Sequence, residues 1–122
     1  MAYQSFEKLE VWKRACRLAV EVCQVIAKSK QYVLKDQMQR AAISIPSNIA
    51  EGSERDSRQD FIRFLRIAKG SAAELRTQTY VALKLRLLTK DKADEFVSET
   101  KEISAMLQGL IRSLSTKQKT EH

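Results

Sequence analysis

The 122-residue sequence is poor in the residues that build tight turns and metal sites, with three glycines, one proline, one histidine and two cysteines. So few turn formers argue against a β architecture, and they leave no glycine-rich loop to cradle a phosphate. The single histidine is His122, so no histidine-based triad, general base or zinc site is expected within one chain, and the sequence calls for no cofactor and no metal. A long apolar run is missing as well. The longest stretch without a charged side chain runs from Ala41 to Ala50, far short of the roughly 20 residues that a helix needs to cross a bilayer. No membrane span is expected. The start, Met1-Ala-Tyr-Gln-Ser-Phe-Glu-Lys8, has neither the basic nor the apolar region of a secretory leader, which makes the sequence read as cytoplasmic. Cys16 and Cys23 would stand about 10.5 Å apart along a helix, beyond disulfide reach. They read as two small buried apolar side chains in a reducing compartment, with an intersubunit or redox pair as the alternative.

What the chain does have is helical periodicity and charge. Hydrophobic residues make up 43% and charged residues 30%, a composition that folds into one globular domain without staples. Capping and turn signals separate four helices. The first is expected over about residues 7–30, with Ser5 as its cap. Its apolar positions, from Leu9 and Trp12 to Val25 and Ile26, spread over about 200° of the wheel, roughly twice the stripe that one buried face needs. This helix should pack on two sides.

The second helix is expected over about residues 33–53. Pro46 removes the N–H that would bond Ala42, so a kink or a restart is expected there, with Ser44 or Ser47 available for the orphaned backbone groups. Gly52 reads as its stop. Ser57-Arg-Gln-Asp60 resembles a capping box and opens a third helix over about residues 58–86. Thr89 can cap a fourth over about residues 90–115, whose first turn carries Asp91 and Asp94 where the helix dipole favours acid. Short connections make successive helices antiparallel neighbours. The fold class is therefore all-α, an antiparallel up-down four-helix bundle over residues 1–115, followed by a polar tail, residues 116–122, expected to be disordered.

The positive charge is not spread evenly. Residues 1–34 carry six cations against three acids, residues 35–56 three against four, residues 57–88 seven against two, and residues 89–122 six against six. On the wheel of the third helix Arg58, Arg66, Lys69, Arg76 and Lys84 share one stripe roughly 40 Å long, and Ile62 and Tyr80 fall inside it. A cationic strip that contains an aromatic suits a phosphate backbone and an unstacked base together. The alternatives are a solvated face, an acidic protein partner, or neutralisation by Asp91, Asp94, Glu95, Glu99 and Glu102 of helix four.

Catalytic patterns are weak. Ser5-x-x-Lys8 and Ser98-x-x-Lys101 match a common four-residue pattern without its companion motifs. Glu51 and Glu74 stand among small or apolar neighbours and read as semi-buried acids needing a partner, which Arg40 or Gln78 could supply.

The run Arg40-Ala-Ala-Ile-Ser-Ile-Pro-Ser-Asn-Ile-Ala-Glu-Gly52, preceded by Phe6-x-x-Leu9-x-x-Trp12 and followed by Phe61-x-x-Phe64-Leu65, Ala68-x-Gly70-Ser71 and Glu74-Leu75-x-x-Gln78, closely resembles the bacterial four-helix bundle proteins encoded within intervening sequences of 23S ribosomal RNA genes. The likeness covers about residues 6–114. Trp12, Arg40, Ser44, Pro46, Asn48, Glu51, Gly52 and Glu74 are the family-motif positions, read as structural. The resemblance implies a homopentameric ring without enzymatic activity. A more distant similarity to the accessory variability proteins of diversity-generating retroelements, basic bundles that work with a reverse transcriptase and its RNA, implies nucleic acid as a partner, RNA before DNA. Members often carry a second basic residue before the motif arginine; here that position is Gln39, which shifts the expected contact surface to helix three. The wide apolar arc of helix one, together with Ile67 and Leu85 lying away from the helix-three seam, independently suggests association faces. Two function classes follow: a homo-oligomeric nucleic-acid binder, and a scaffold whose surplus apolar faces and kinked second helix dock a partner protein. An enzyme would need a site shared between subunits.

Overall fold

The computed structural model describes residues 5–120, and their side chains as far as residue 116. Four helices follow one another in the order read from the sequence. They are α1 (Glu10–Ile26), α2 (Tyr32–Ser53), α3 (Arg58–Lys84) and α4 (Lys90–Thr120), preceded by a 3-10 turn, Phe6–Lys8. Each helix packs on its chain neighbours, the α2/α3 seam most extensively, and α1 meets α4 to close the bundle. Met38, Ile45 and Ile49 of α2, Leu65 and Leu75 of α3, and Phe96, Ile103 and Leu107 of α4 are fully buried between them. Fully burying one such side chain stabilises the fold by about 1.5–3 kcal/mol. Two buried threonines are satisfied locally, Thr79 donating to the Leu75 carbonyl at 2.8 Å and Thr100 to that of Phe96 at 2.9 Å.

The starts of α3 and α4 follow the sequence signals. The Ser57 hydroxyl accepts from the Asp60 N–H at 3.1 Å, and the Thr89 hydroxyl from the Lys92 N–H at 3.2 Å. Other boundaries differ. The single first helix becomes the 3-10 turn, capped by Ser5, and an α-helix that ends at Ile26. α2 is continuous through Pro46, so no second helix restarts there; the Ser44 hydroxyl instead pairs with that of Ser71 on α3 at 2.9 Å. α4 runs to Thr120, past the expected start of a disordered tail, because Thr116-Lys-Gln-Lys-Thr120 holds neither glycine nor proline to stop it. Residues 121–122 lie outside the described residues.

Gly52 corrects a sequence reading. It is buried inside α2 with a negative φ, and a Cβ there would stand 2.6 Å from the Phe64 Cβ and 3.1 Å from Phe61 Cδ1. Its role is close approach of α2 to α3, not a left-handed stop. The left-handed residue is Arg86, at φ 61°. There the Leu87 N–H reaches the Ala82 carbonyl and the Arg86 N–H that of Leu83, the bond pattern of a Schellman ending.

Candidate nucleic-acid interface

α3 buries Phe61, Phe64, Leu65, Ala68, Ala72, Leu75 and Ala82, which fixes its rotation and places the cationic stripe on the flank nearer α4. Arg66 and Lys84 are exposed; Arg58, Lys69 and Arg76 are half-buried. Lys69 Nζ donates to Gln108 Oε1 of α4 at 2.7 Å, which ties the stripe to its neighbour. Tyr80, within the stripe, is 49% exposed. Ile62 is only 6% exposed. It belongs to the core, since the wheel of a helix covered on two flanks buries more than its central seam.

The two flanks of α4 differ in charge. The Arg14 guanidinium of α1 donates to Glu99 through Nε at 2.9 Å and through its terminal nitrogen at 2.5 Å, and it also meets Glu102. Lys90 holds Asp94 at 3.1 Å and Lys92 holds Glu95 at 2.9 Å. Of the acids expected to neutralise the strip, Asp94, Glu95, Glu99 and Glu102 are thus engaged toward α1 or along α4 itself, and Asp91 lines the groove toward α1. Their bonds to Arg14 push the Glu99 carboxyl below its usual range and the Arg14 guanidinium above its own. A groove of about 980 Å³ lies between α1 and α4, with Leu18 and Phe96 among its lining and Glu10, Glu21, Asp91 and Glu95 around them.

Between residues 97 and 115 the α3-facing flank of α4 carries no acid, and Asp94, one heptad before Lys101, is held by Lys90. Lys101, Ser104, Gln108, Arg112 and Ser115 recur there at spacings of three and four residues, one face of a helix. Around the Lys69 to Gln108 contact the antiparallel register sets Arg76 level with Lys101, about 10.5 Å to one side, and Arg66 level with Arg112 on the other. Lys101 and Arg112 are exposed. The sequence reading missed both, because a single-helix wheel does not say which flank meets which neighbour.

The helix-two motif is structural geometry. Asn48 Nδ2 donates to the Ser44 carbonyl at 2.8 Å and to its hydroxyl at 2.9 Å, and Pro46 is buried. Trp12 packs edge-on against Phe6, ring centroids 5.3 Å apart. Glu51 and Glu74 are exposed, which corrects their reading as semi-buried acids: their small sequence neighbours project to other faces of the helix. Glu51 pairs with Arg55 at 3.0 Å, and Arg40 with Asp36 at 2.9 Å. Gln78 and Glu74 line one groove between α2 and α3. Burial pushes the Cys16 and Cys23 thiols up, and both are half-buried and free. Among the described residues no group of three or more His, Cys, Asp or Glu side chains could hold a metal, and no helix is long and apolar enough to cross a membrane.

The family model of the 23S rRNA-intervening sequence protein matches residues 7–109. The chain belongs to that family. A crystal structure of a protein with unknown function from the S23 ribosomal protein family of Bacteroides thetaiotaomicron VPI-5482 is similar, at 26% identity with a TM-score of 0.78, covering 83% of this chain and 97% of that one. No protein with a curated description matches. Within this member of the intervening-sequence family the motif secures the α2/α3 seam, through Gly52 against Phe64 and Ser44 against Ser71. The cations lie on the opposite flank of α3. Gln39, where members of the family often carry a base, is half-buried beside exposed Arg40.

Proposed function

We propose that this chain is a non-enzymatic, self-associating bundle of the cytosol that binds RNA through its phosphates, using Arg58, Arg66, Lys69, Arg76 and Lys84 of α3 with Tyr80 beside them. The observation that carries this reading is the continuation of the cationic stripe onto α4 at Lys101 and Arg112, while Glu99 and Glu102 turn to Arg14 of α1 and Asp94 and Glu95 pair with lysines of α4 itself. Two rows of cations on adjacent antiparallel helices suit a nucleic-acid backbone better than a single row does, because each phosphate can meet charge from either side. RNA is preferred to DNA because the family's description names a ribosomal RNA intervening sequence. A ring of five copies, implied by the family resemblance, would repeat the face around an axis and convert weak phosphate contacts into avidity.

The test is the salt dependence of binding to a structured RNA. The logarithm of affinity should fall against the logarithm of salt with a slope of about −0.7 to −0.9 per phosphate neutralised. Reversal of Arg66, Lys69 and Arg76 to Glu should lower affinity at least tenfold and flatten the slope by about three contacts. Absence of binding at low salt, or affinity unchanged by the triple reversal, sinks the proposal.

A further inference from the structure

The arginines of the molecule divide into two sets. Arg14, Arg17, Arg40, Arg55 and Arg63 each hold a carboxylate. Arg66, Arg76 and Arg112, with Lys84 and Lys101 beside them, make no hydrogen bond or ion pair among the described residues. No existing pair has to break before these five meet a phosphate. The exposed tyrosines divide in the same way. Tyr32 is 66% exposed and Tyr80 49%. Lys35 covers the Tyr32 ring at 5.5 Å, whereas the Tyr80 ring has no cation or second ring against it, and its hydroxyl no hydrogen bond, among the described residues.

Tyr80 stands about 6 Å along the helix axis from Arg76 on one side and from Lys84 on the other. The register set by the Lys69 to Gln108 contact places Lys101 level with Arg76, Val97 with Tyr80 and Asp94 with Lys84. Asp94 is held by Lys90 at 3.1 Å, and Val97 is half-buried. At this end of the face a pair of cations, an uncovered ring with an apolar neighbour, and a further cation therefore follow one another. The other end, around Arg66 and Arg112, offers charge alone, since Ile62, the second apolar position of the stripe, is buried.

Cations by themselves do not choose between paired and unpaired RNA, because both present phosphates. A ring does choose. A duplex keeps its bases stacked on one another behind a deep, narrow major groove, so an aromatic side chain on a helix flank finds no base face there. An unpaired nucleotide can turn its base out onto such a ring while its flanking phosphates stay on the cations.

We infer that the Tyr80 end of the α3/α4 face holds single-stranded RNA, with one unpaired base stacked on the Tyr80 ring, the phosphate on one side of it between Arg76 and Lys101, and the phosphate on the other side at Lys84. This rests on the RNA reading above and narrows it to RNA with an unpaired nucleotide in a loop, a bulge or an end. Tyr80 sets the preference for unpaired strands, and the cations set the affinity for both forms.

The test is fluorescence anisotropy with a labelled RNA of about 12 nucleotides, within the span that one such site covers, titrated as a single strand and again annealed to its complement. Tyr80→Ala should weaken single-strand binding about five- to 100-fold, the range of one base on an aromatic ring, and leave duplex binding unchanged. Tyr80→Leu, which keeps apolar surface without a π face, should lose as much, and it replaces Tyr80→Ala if that variant loses its helical circular dichroism. Tyr80→Phe should keep wild-type affinity. The salt slope should be the same in all three, because no phosphate contact is removed, whereas Lys84→Gln should flatten it by about 0.7. With 5-bromouridine in the single strand, photo-crosslinking should mark Tyr80. Equal losses for strand and duplex, no loss in Tyr80→Ala, or a loss in Tyr80→Phe overturns the stacking assignment, while the triple reversal of Arg66, Lys69 and Arg76 reports separately on RNA binding. A wild type that binds neither form at low salt overturns both.

Discussion

The α2/α3 seam and the α1/α4 seam are built on opposite principles. In the first, backbones approach closely enough that Gly52 leaves no room for a Cβ, and two hydroxyls, Ser44 and Ser71, meet across the interface. In the second, contact is sparse and a guanidinium spans the gap to Glu99 and Glu102. A seam made by close approach is intolerant of volume and indifferent to salt. A seam made by long charged side chains tolerates volume and responds to pH and ionic strength, and it leaves an open groove behind.

The largest effect should come from adding one methyl group to the tight seam. Gly52→Ala should cost about 1–3 kcal/mol, because the Phe64 Cβ is fixed in place by the α3 backbone whatever the rotamer and cannot swing away. Gly109→Ala is the control: a Cβ there meets nothing within 4 Å, and removing a helical glycine should stabilise by about 0.5–1 kcal/mol. Thermal melts that move both variants the same way would break the comparison.

The loose seam should respond next. Arg14→Gln should cost about 1 kcal/mol by releasing Glu99 and Glu102. The folded-state pKa of Glu99 is depressed, so its contribution is fully present above the ordinary carboxylate value of about 4.3 and is lost as pH falls through the lower folded value. The melting-temperature gap between wild type and Arg14→Gln should therefore narrow on acidification below about pH 4.3. A gap that stays constant to pH 3 excludes this pairing as its origin. The smallest effect should be a gain at the α3/α4 connection, where Arg86→Gly relieves a left-handed residue for about 0.5–1 kcal/mol. Chemical denaturation should show a raised midpoint, and an unchanged one contradicts the assigned backbone strain.

Much of this architecture was legible in the chain. The caps at Ser57 and Thr89 depend on bonds within three residues, and core seams follow from the helical period, so both can be read locally. Gly52 was misread because a helix-ending glycine and a packing glycine look alike in one dimension; its place on the Ile45, Ile49, Gly52 seam was the available signal. Arg86 gave no signal, since a left-handed arginine is specified by its surroundings. The stripe on α3 was visible on its own wheel, whereas Lys101 and Arg112 join it only through the rotation of α4 that packing sets. Glu51 and Glu74 show the converse error, in which sequence neighbours were taken for spatial ones.

One consequence follows from the exposed positions of Arg66, Lys84, Lys101 and Arg112. None of them fills the core, so substitutions there leave the bundle's folding free energy nearly unchanged. The surface offered to a ligand can therefore diverge at its own rate, while the seam around Gly52 holds the scaffold constant. Homologues that share this backbone are free to differ in what they hold.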